Sequence, residues 1–220
     1  MASAMVTRCV RLSLLGVAGA LRMPIGAICM QSTAPTVLVP IADDSEEIET
    51  ACITDTLVRA GAVVTVASVM PGRLQCKMSR GLKVCADVSI DECVRQTYDC
   101  IALPGGMPGA NHLRDSEVLI TILKSHAAAG RTTAAVCASP AVVFATHGLL
   151  GDNPATCYPA PQFKEKLNNW SETAVIVDGN IVTSQGPGTS LKFALKLVEL
   201  LVSKEKADEI AAQMLTTIER

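Results

Sequence analysis

Apolar residues in this chain recur as short, dense runs, separated by turn residues and by longer stretches with a helical period. Thr36–Ile41 (TVLVPI) is the first such run, and it reads as a strand buried on both faces. Asp44 stands three residues before Glu47, a capping-box spacing that predicts a helix running to Ala60, with Gly61 as its C-cap. Ala62–Ser68 predicts the next strand, and Leu74–Cys85 an irregular hairpin around Ser79-Arg80-Gly81. Cys100–Leu103 is another buried strand, stopped by Pro104-Gly105-Gly106. A helix capped by Asp115 or Ser116 ends at Gly130, and Thr132–Val136 forms the strand after it. Beyond Cys137 the pattern predicts a helix from Pro140 to His147, with Gly148 as its stop. Val175–Ser184 reads as a hairpin turning at Asp178-Gly179-Asn180. A long helix follows Pro187, and Lys204–Glu219 supplies a last amphipathic one. Strand–helix alternation with uniformly apolar strands predicts a doubly wound α/β sandwich around a mostly parallel sheet, over residues 35–220. No internal repeat or second-domain linker interrupts it.

Residues 1–34 break the pattern. They hold three arginines, and the first acid of the chain is Asp43. On a helical wheel Arg8, Arg11 and Arg22 fall on one side, and Val6, Val10, Leu14, Val17 and Leu21 on the other. An arginine-bearing, acid-free amphipathic helix at an N-terminus is the composition of an organelle transit peptide, which predicts a mitochondrial or plastid address. A secretory signal with Leu12–Leu21 as its apolar core is the competing reading, and Arg22 argues against it. An untargeted tail is the third reading, and it leaves the protein cytoplasmic.

Composition narrows the function classes. Of 220 residues, 49% are hydrophobic and 18% charged, which excludes a disordered chain. The net charge is −2, and removing the three N-terminal arginines leaves −5, so no polyanion partner such as nucleic acid is expected. No charge-free apolar stretch is long enough to predict a membrane-spanning helix. The nine cysteines form no Cys-x-x-Cys pair and the three histidines are not at metal-ligand spacing, so neither a zinc site nor a disulfide framework is predicted. The cysteines read as reduced thiols, mostly packed as small hydrophobes.

Ligands of an open parallel sheet gather beyond the carboxyl ends of its strands. Cys137 lies there, at a tight strand-to-helix bend, where the helix dipole is expected to favour thiolate. The N–H groups of Ala138 and of Gly106 on the neighbouring turn are placed to converge as an oxyanion hole. Glu46 and Glu47 read as first-turn carboxylates on a solvated face. Glu49, flanked by Ile48, Cys52 and Ile53, is expected to face inward and handle protons, since burial raises a carboxyl pKa. Gly105-Gly106-Met107-Pro108-Gly109 is not a dinucleotide fingerprint, and Gly186-Pro187-Gly188-Thr189-Ser190 is not a P-loop. Both read as tight turns lining a pocket, with Gly105 and Pro187 among its walls. His112 and His126 are expected to face solvent, and His147 to favour a helix C-terminus.

Four segments together carry a family likeness: Glu46-Glu47-Ile48-Glu49-Thr50, Leu103-Pro104-Gly105-Gly106, Ala135-Val136-Cys137-Ala138-Ser139-Pro140, and Ser184 to Ser190. From Thr36 to the last helix the chain resembles the ThiJ/PfpI superfamily, and within it the parkinsonism-associated protein-deglycase branch. The resemblance implies a flavodoxin-like homodimer without a cofactor. It implies Cys137 as nucleophile and redox-sensitive thiol, Glu49 as its carboxyl partner, and Gly106 and Ala138 as amide donors. Arg80 resembles the family arginine that crosses the dimer interface near the site. Two departures matter. Ala138 follows Cys137 where protease-like members have histidine, so peptidase activity is not expected. Tyr158 stands where deglycase-type members often place a pocket histidine, and a tyrosine is a poor base near neutral pH. Proton transfer is left to Glu49.

The expected function is a glyoxalase and protein deglycase acting on methylglyoxal, glyoxal and early glycation adducts, protective under oxidative stress. A non-catalytic redox sensor or redox-regulated chaperone using the same cysteine is the alternative.

Overall fold

The computed structural model describes residues 34–217; the extension lies outside them apart from Ala34. Its strands are β1 (Thr36–Ile41), β2 (Val63–Ser68), β3 (Gln75–Lys77), β4 (Lys83–Cys85), β5 (Val88–Ser89), β6 (Cys100–Leu103), β7 (Thr132–Val136), β8 (Val175–Asp178) and β9 (Ile181–Ser184). Its α-helices are α1 (Glu47–Arg59), α2 (Gly109–Asp115), α3 (Glu117–Ala128), α4 (Pro161–Lys164), α5 (Ser190–Leu201) and α6 (Lys204–Gln213). Seven strands form one sheet in the order β5-β2-β1-β6-β7-β9-β8. All pairs are parallel except β8 with β9, which closes the edge as a hairpin. β3 and β4 form a separate antiparallel hairpin. This is the doubly wound α/β architecture that the strand–helix alternation predicts, in the flavodoxin-like form that the family resemblance implies.

Both faces of the sheet are covered, which is why its strands read as unbroken apolar runs. Val37, Val39 and Ile41 of β1 point to one layer, with Ile53 and Leu57 of α1, Phe193 and Val198 of α5 and Ile210 of α6. Leu38 of β1 joins Ile101 and Leu103 of β6 in the other, with Leu113, Leu119, Leu123 and Phe144. Each such side chain stabilises the fold by roughly 2 kcal/mol through burial alone.

The structure corrects several boundaries. α1 is capped by Glu46, whose carboxylate accepts from Glu49 N–H, and not by Asp44. Asp44 adopts φ 60°, a left-handed turn that cannot belong to a helix N-terminus of this kind. Glu46 is buried, not on a solvated face. The short α2 escapes the sequence pattern because it opens on Gly109, a poor helix former. The segment after Cys137 is a π-helical turn over Pro140–Ala145, shorter than the expected helix. The last helix ends at Gln213, where Met214 N–H bonds back to Ile210 O and Leu215 turns left-handed. His126 is buried, with Nε2 hydrogen-bonded to Thr132 O at 2.8 Å.

Candidate functional site

Three loops meet at the carboxyl ends of β1, β6 and β7. The first, Ala42 to Glu46, leads into α1. Its Glu46 N–H donates to Gly105 O at 3.0 Å, which ties it to the second loop, Pro104-Gly105-Gly106. The third is the elbow at Cys137. A methyl group on Gly105 would stand 2.6 Å from Cys137 Cβ and 2.9 Å from Ala138 N, so only glycine allows this approach. Gly106 has φ 89°, and a side chain there would collide with the backbone of Asp44 to Glu46.

Cys137 itself has φ 64°, a left-handed conformation that costs a non-glycine residue on the order of 1–3 kcal/mol. Its surroundings hold it there from both sides. Cys137 N–H donates to Ser184 O at 3.0 Å, and Cys137 O accepts from Tyr158 N–H at 2.7 Å. The Ser139 hydroxyl donates to Pro104 O at 2.5 Å, joining elbow and turn.

Glu49 projects from the first turns of α1 and is fully buried. Its Oε2 accepts from Gly105 N–H at 2.7 Å, while Oε1 is buried without a hydrogen-bond partner. Burial pushes the Glu49 carboxyl up to about 7, against the Gly105 amide, which pulls it down. The Cys137 thiol is also pushed up, first by burial and then by the charge of Glu49, against the amides of Gly106 and Ala138. The net direction corrects the expectation of a thiolate favoured by a helix dipole. Only a six-residue π-helical turn follows, so the two amides are what favour charge on sulfur. The influence is unequal: the Glu49 charge raises the thiol, whereas the neighbouring thiol lowers the Glu49 carboxyl, so the two groups titrate as a pair.

The other expected site residues are placed as follows. Ala138 and Gly106 face the sulfur with their N–H groups. Tyr158 contacts the elbow through its backbone, and its ring lies over Gly186, edge-on to Phe163 at 6.3 Å. Pro187 opens a single turn of 3-10 helix, with Gly186 braced by Thr189 and Ser190. Arg80 is not brought to Cys137 within one chain. It is exposed at the tip of the β3–β4 hairpin, where its N–H donates to Glu47 at 2.8 Å and its guanidinium to Ser79 O at 3.3 Å. Sequence reasoning missed the carbonyl of Ser184 and the hydroxyl of Ser139. Backbone groups leave no mark in side-chain pattern, whereas Ser139 was visible in the elbow motif without a role. Among the described residues no cluster of three metal-ligating side chains occurs, and no helix is long and apolar enough to cross a membrane.

A doubly wound sheet that buries a cysteine and a carboxylic acid against two glycine-permitted backbone turns defines a narrow class. The chain belongs to the DJ-1/PfpI family, whose model matches residues 35–200. It is 46% identical over 177 residues to Protein DJ-1 homolog B of Arabidopsis thaliana, covering 80% of this chain but only 40% of that protein. It is 33% identical to the glutathione-independent glyoxalase DJR-1.2 of Caenorhabditis elegans, covering 82% of this chain and 94% of that one. Among solved structures, oxidized DJ-1 of Toxoplasma gondii superposes with a TM-score of 0.81 at 52% identity, covering 84% of this chain and all of that chain.

Proposed function

We propose that the protein is a cofactor-independent glyoxalase and deglycase of small α-oxoaldehydes. The observation that carries this reading is the buried Cys137–Glu49 pair, with Glu49 poised at about 7. With Glu49 protonated, its charge no longer lifts the thiol, and the Gly106 and Ala138 amides are left to oppose burial and favour thiolate. The sulfur adds to the aldehyde carbon of methylglyoxal, and the resulting oxyanion meets the same amides. Protonated Glu49 first gives its proton to that oxyanion, making a hemithioacetal. The carboxylate so formed then takes the proton from the former aldehyde carbon and returns it to the neighbouring carbon, while the hydroxyl proton moves to the ketone oxygen, so the ketone becomes an alcohol and the aldehyde carbon a thioester. Water hydrolyses the thioester, releasing lactate and the thiol; glyoxal gives glycolate by the same route. In early glycation adducts that carbon is held as a hemithioacetal or hemiaminal. Cys137 takes the place of the protein's sulfur or nitrogen there, which leaves as the free thiol or amine, and removal of the adducts would protect the cell under oxidative stress. The glyoxalase named among the relatives supports the reading.

Homodimerisation belongs to this proposal, with Arg80 of each chain reaching toward the partner's site. The organelle address of residues 1–34 is likewise proposed from their composition.

A second reading is redox sensing through Cys137, and the solved Toxoplasma gondii relative described as oxidized favours it. A steady-state assay with methylglyoxal on the purified protein separates the two. Turnover that disappears in C137A supports the enzyme, and a wild-type protein without turnover supports the sensor.

A further inference from the structure

We infer that Ser139 is a positioning residue, whose hydroxyl sets the spacing of the two amides that face the Cys137 sulfur. The inference rests on the proposed role of Cys137 as the reactive thiol.

The geometry is specific. Ser139 is fully buried, two residues past Cys137, and its hydroxyl donates to Pro104 O at 2.5 Å. Pro104 is buried as well, and its carbonyl belongs to the peptide that enters Gly105. One amide comes from each side of this bond: Ala138 N–H from the elbow, Gly106 N–H from the turn. The two segments belong to different strand ends, β7 and β6, and the sheet register links them only as far as Ala135 opposite Leu103. Beyond that pair β6 has ended, and β7 continues for one residue, Val136, paired with Ser184 on its other side. Contact alone does not fix the separation, because Gly105 presents no side chain to lock against Cys137. The serine hydroxyl is a polar tie across the gap, and it also satisfies the buried carbonyl of Pro104. Losing it frees the turn to move away from the sulfur. A shift of a few tenths of an ångström in one of two donors weakens stabilisation of negative charge on sulfur and on a bound oxyanion together.

The test is the pH dependence of Cys137 alkylation by iodoacetamide, followed by peptide mass spectrometry, with and without Ser139. This readout needs no turnover, so it stands even if the glyoxalase reading fails. In S139A the midpoint of alkylation should move to higher pH by roughly half a unit to one unit, a three- to tenfold loss of thiolate at fixed pH. Methylglyoxal turnover, where the wild type shows it, should fall about tenfold in kcat with KM little changed. S139T, which keeps the hydroxyl, should restore both. Should S139A not fold, S139C keeps the volume with a weaker donor and is expected to shift the midpoint in the same direction. An unchanged alkylation midpoint in a variant of lowered thermal stability would show that Ser139 only packs, and overturns the inference.

Discussion

β6 and β7 run side by side and carry a cysteine at each end of the pair. Cys100 opens β6 opposite Thr132, and Cys137 follows the last residue of β7. Both thiols are buried and both are pushed up by desolvation. Around Cys100 polar groups are paired in ordinary ways: Asp99 Oδ2 accepts from Thr36 N–H at 2.8 Å, and His126 meets Thr132 O. Around Cys137 the backbone is left-handed, two amides face the sulfur, and a buried carboxyl oxygen lacks a partner. Burial therefore does not distinguish an inert cysteine from a reactive one. The difference lies in what opposes burial: the charge of Asp99 raises Cys100 further, whereas at the carboxyl end of the sheet two backbone amides favour charge on the Cys137 sulfur.

Oxidation gives the comparison its largest expected effect. Graded peroxide should convert Cys137 to sulfinate while Cys100 stays a thiol, and carbonyl turnover should be lost in step. A sulfinate at Cys137 gains charge-assisted hydrogen bonds from the Gly106 and Ala138 amides and from protonated Glu49. Cys85, the exposed cysteine of the β3–β4 hairpin, is the natural competitor. Peptide mass spectrometry reads the order. If Cys100 or Cys85 gains two oxygens first, or if activity survives full Cys137 oxidation, Cys137 is not the activated thiol.

The next effect concerns the acid. E49Q keeps an acceptor for Gly105 N–H but removes the proton carrier, so turnover should drop by about 10²–10⁴. Stability should move the other way. The folded pKa of Glu49, about 7, lies above its ordinary 4.5, so its contribution is fully present below 4.5 and is lost as pH rises through 7. Denaturant unfolding of E49Q should therefore match the wild type at pH 4 and exceed it at pH 8 by up to about 3 kcal/mol. Wild-type turnover, or a stability difference independent of pH, would remove Glu49 from its role.

The same contrast explains what was legible in the sequence. The sheet was, because strands buried on both faces must be apolar throughout, and TVLVPI and CIAL leave no other reading. Cys137 and Glu49 were legible as positions at strand ends with apolar flanks. The thiol's net electrostatics was not, because the length of the following helix and the proximity of Glu49 depend on how three distant loops pack. Glu46 was misjudged for a related reason: the helix start slipped two residues when Asp44 turned left-handed, which moved Glu46 into the buried cap. Arg80 illustrates a further limit, since a residue that acts across two chains has no visible target in one.

The smallest expected effect tests the opposite end of the molecule. The described chain begins at Ala34, and Pro35 O accepts from Val63 N–H at 2.8 Å just before β1 opens at Thr36. That is the amino end of the strand, and the site lies beyond its carboxyl end, six residues of extended chain away. Both faces of the sheet are covered by buried layers drawn from the described residues alone. Deleting Met1–Gln31 should therefore leave thermal stability within about 0.5 kcal/mol of the full chain and leave the alkylation profile of Cys137 unchanged. The proposed address should be the property that moves: a fluorescent fusion of the full chain should collect in an organelle, and the same fusion without Met1–Gln31 should not. A clear loss of stability on deletion would make the extension part of the fold, and an unchanged distribution of the fusion would reject it as a targeting sequence.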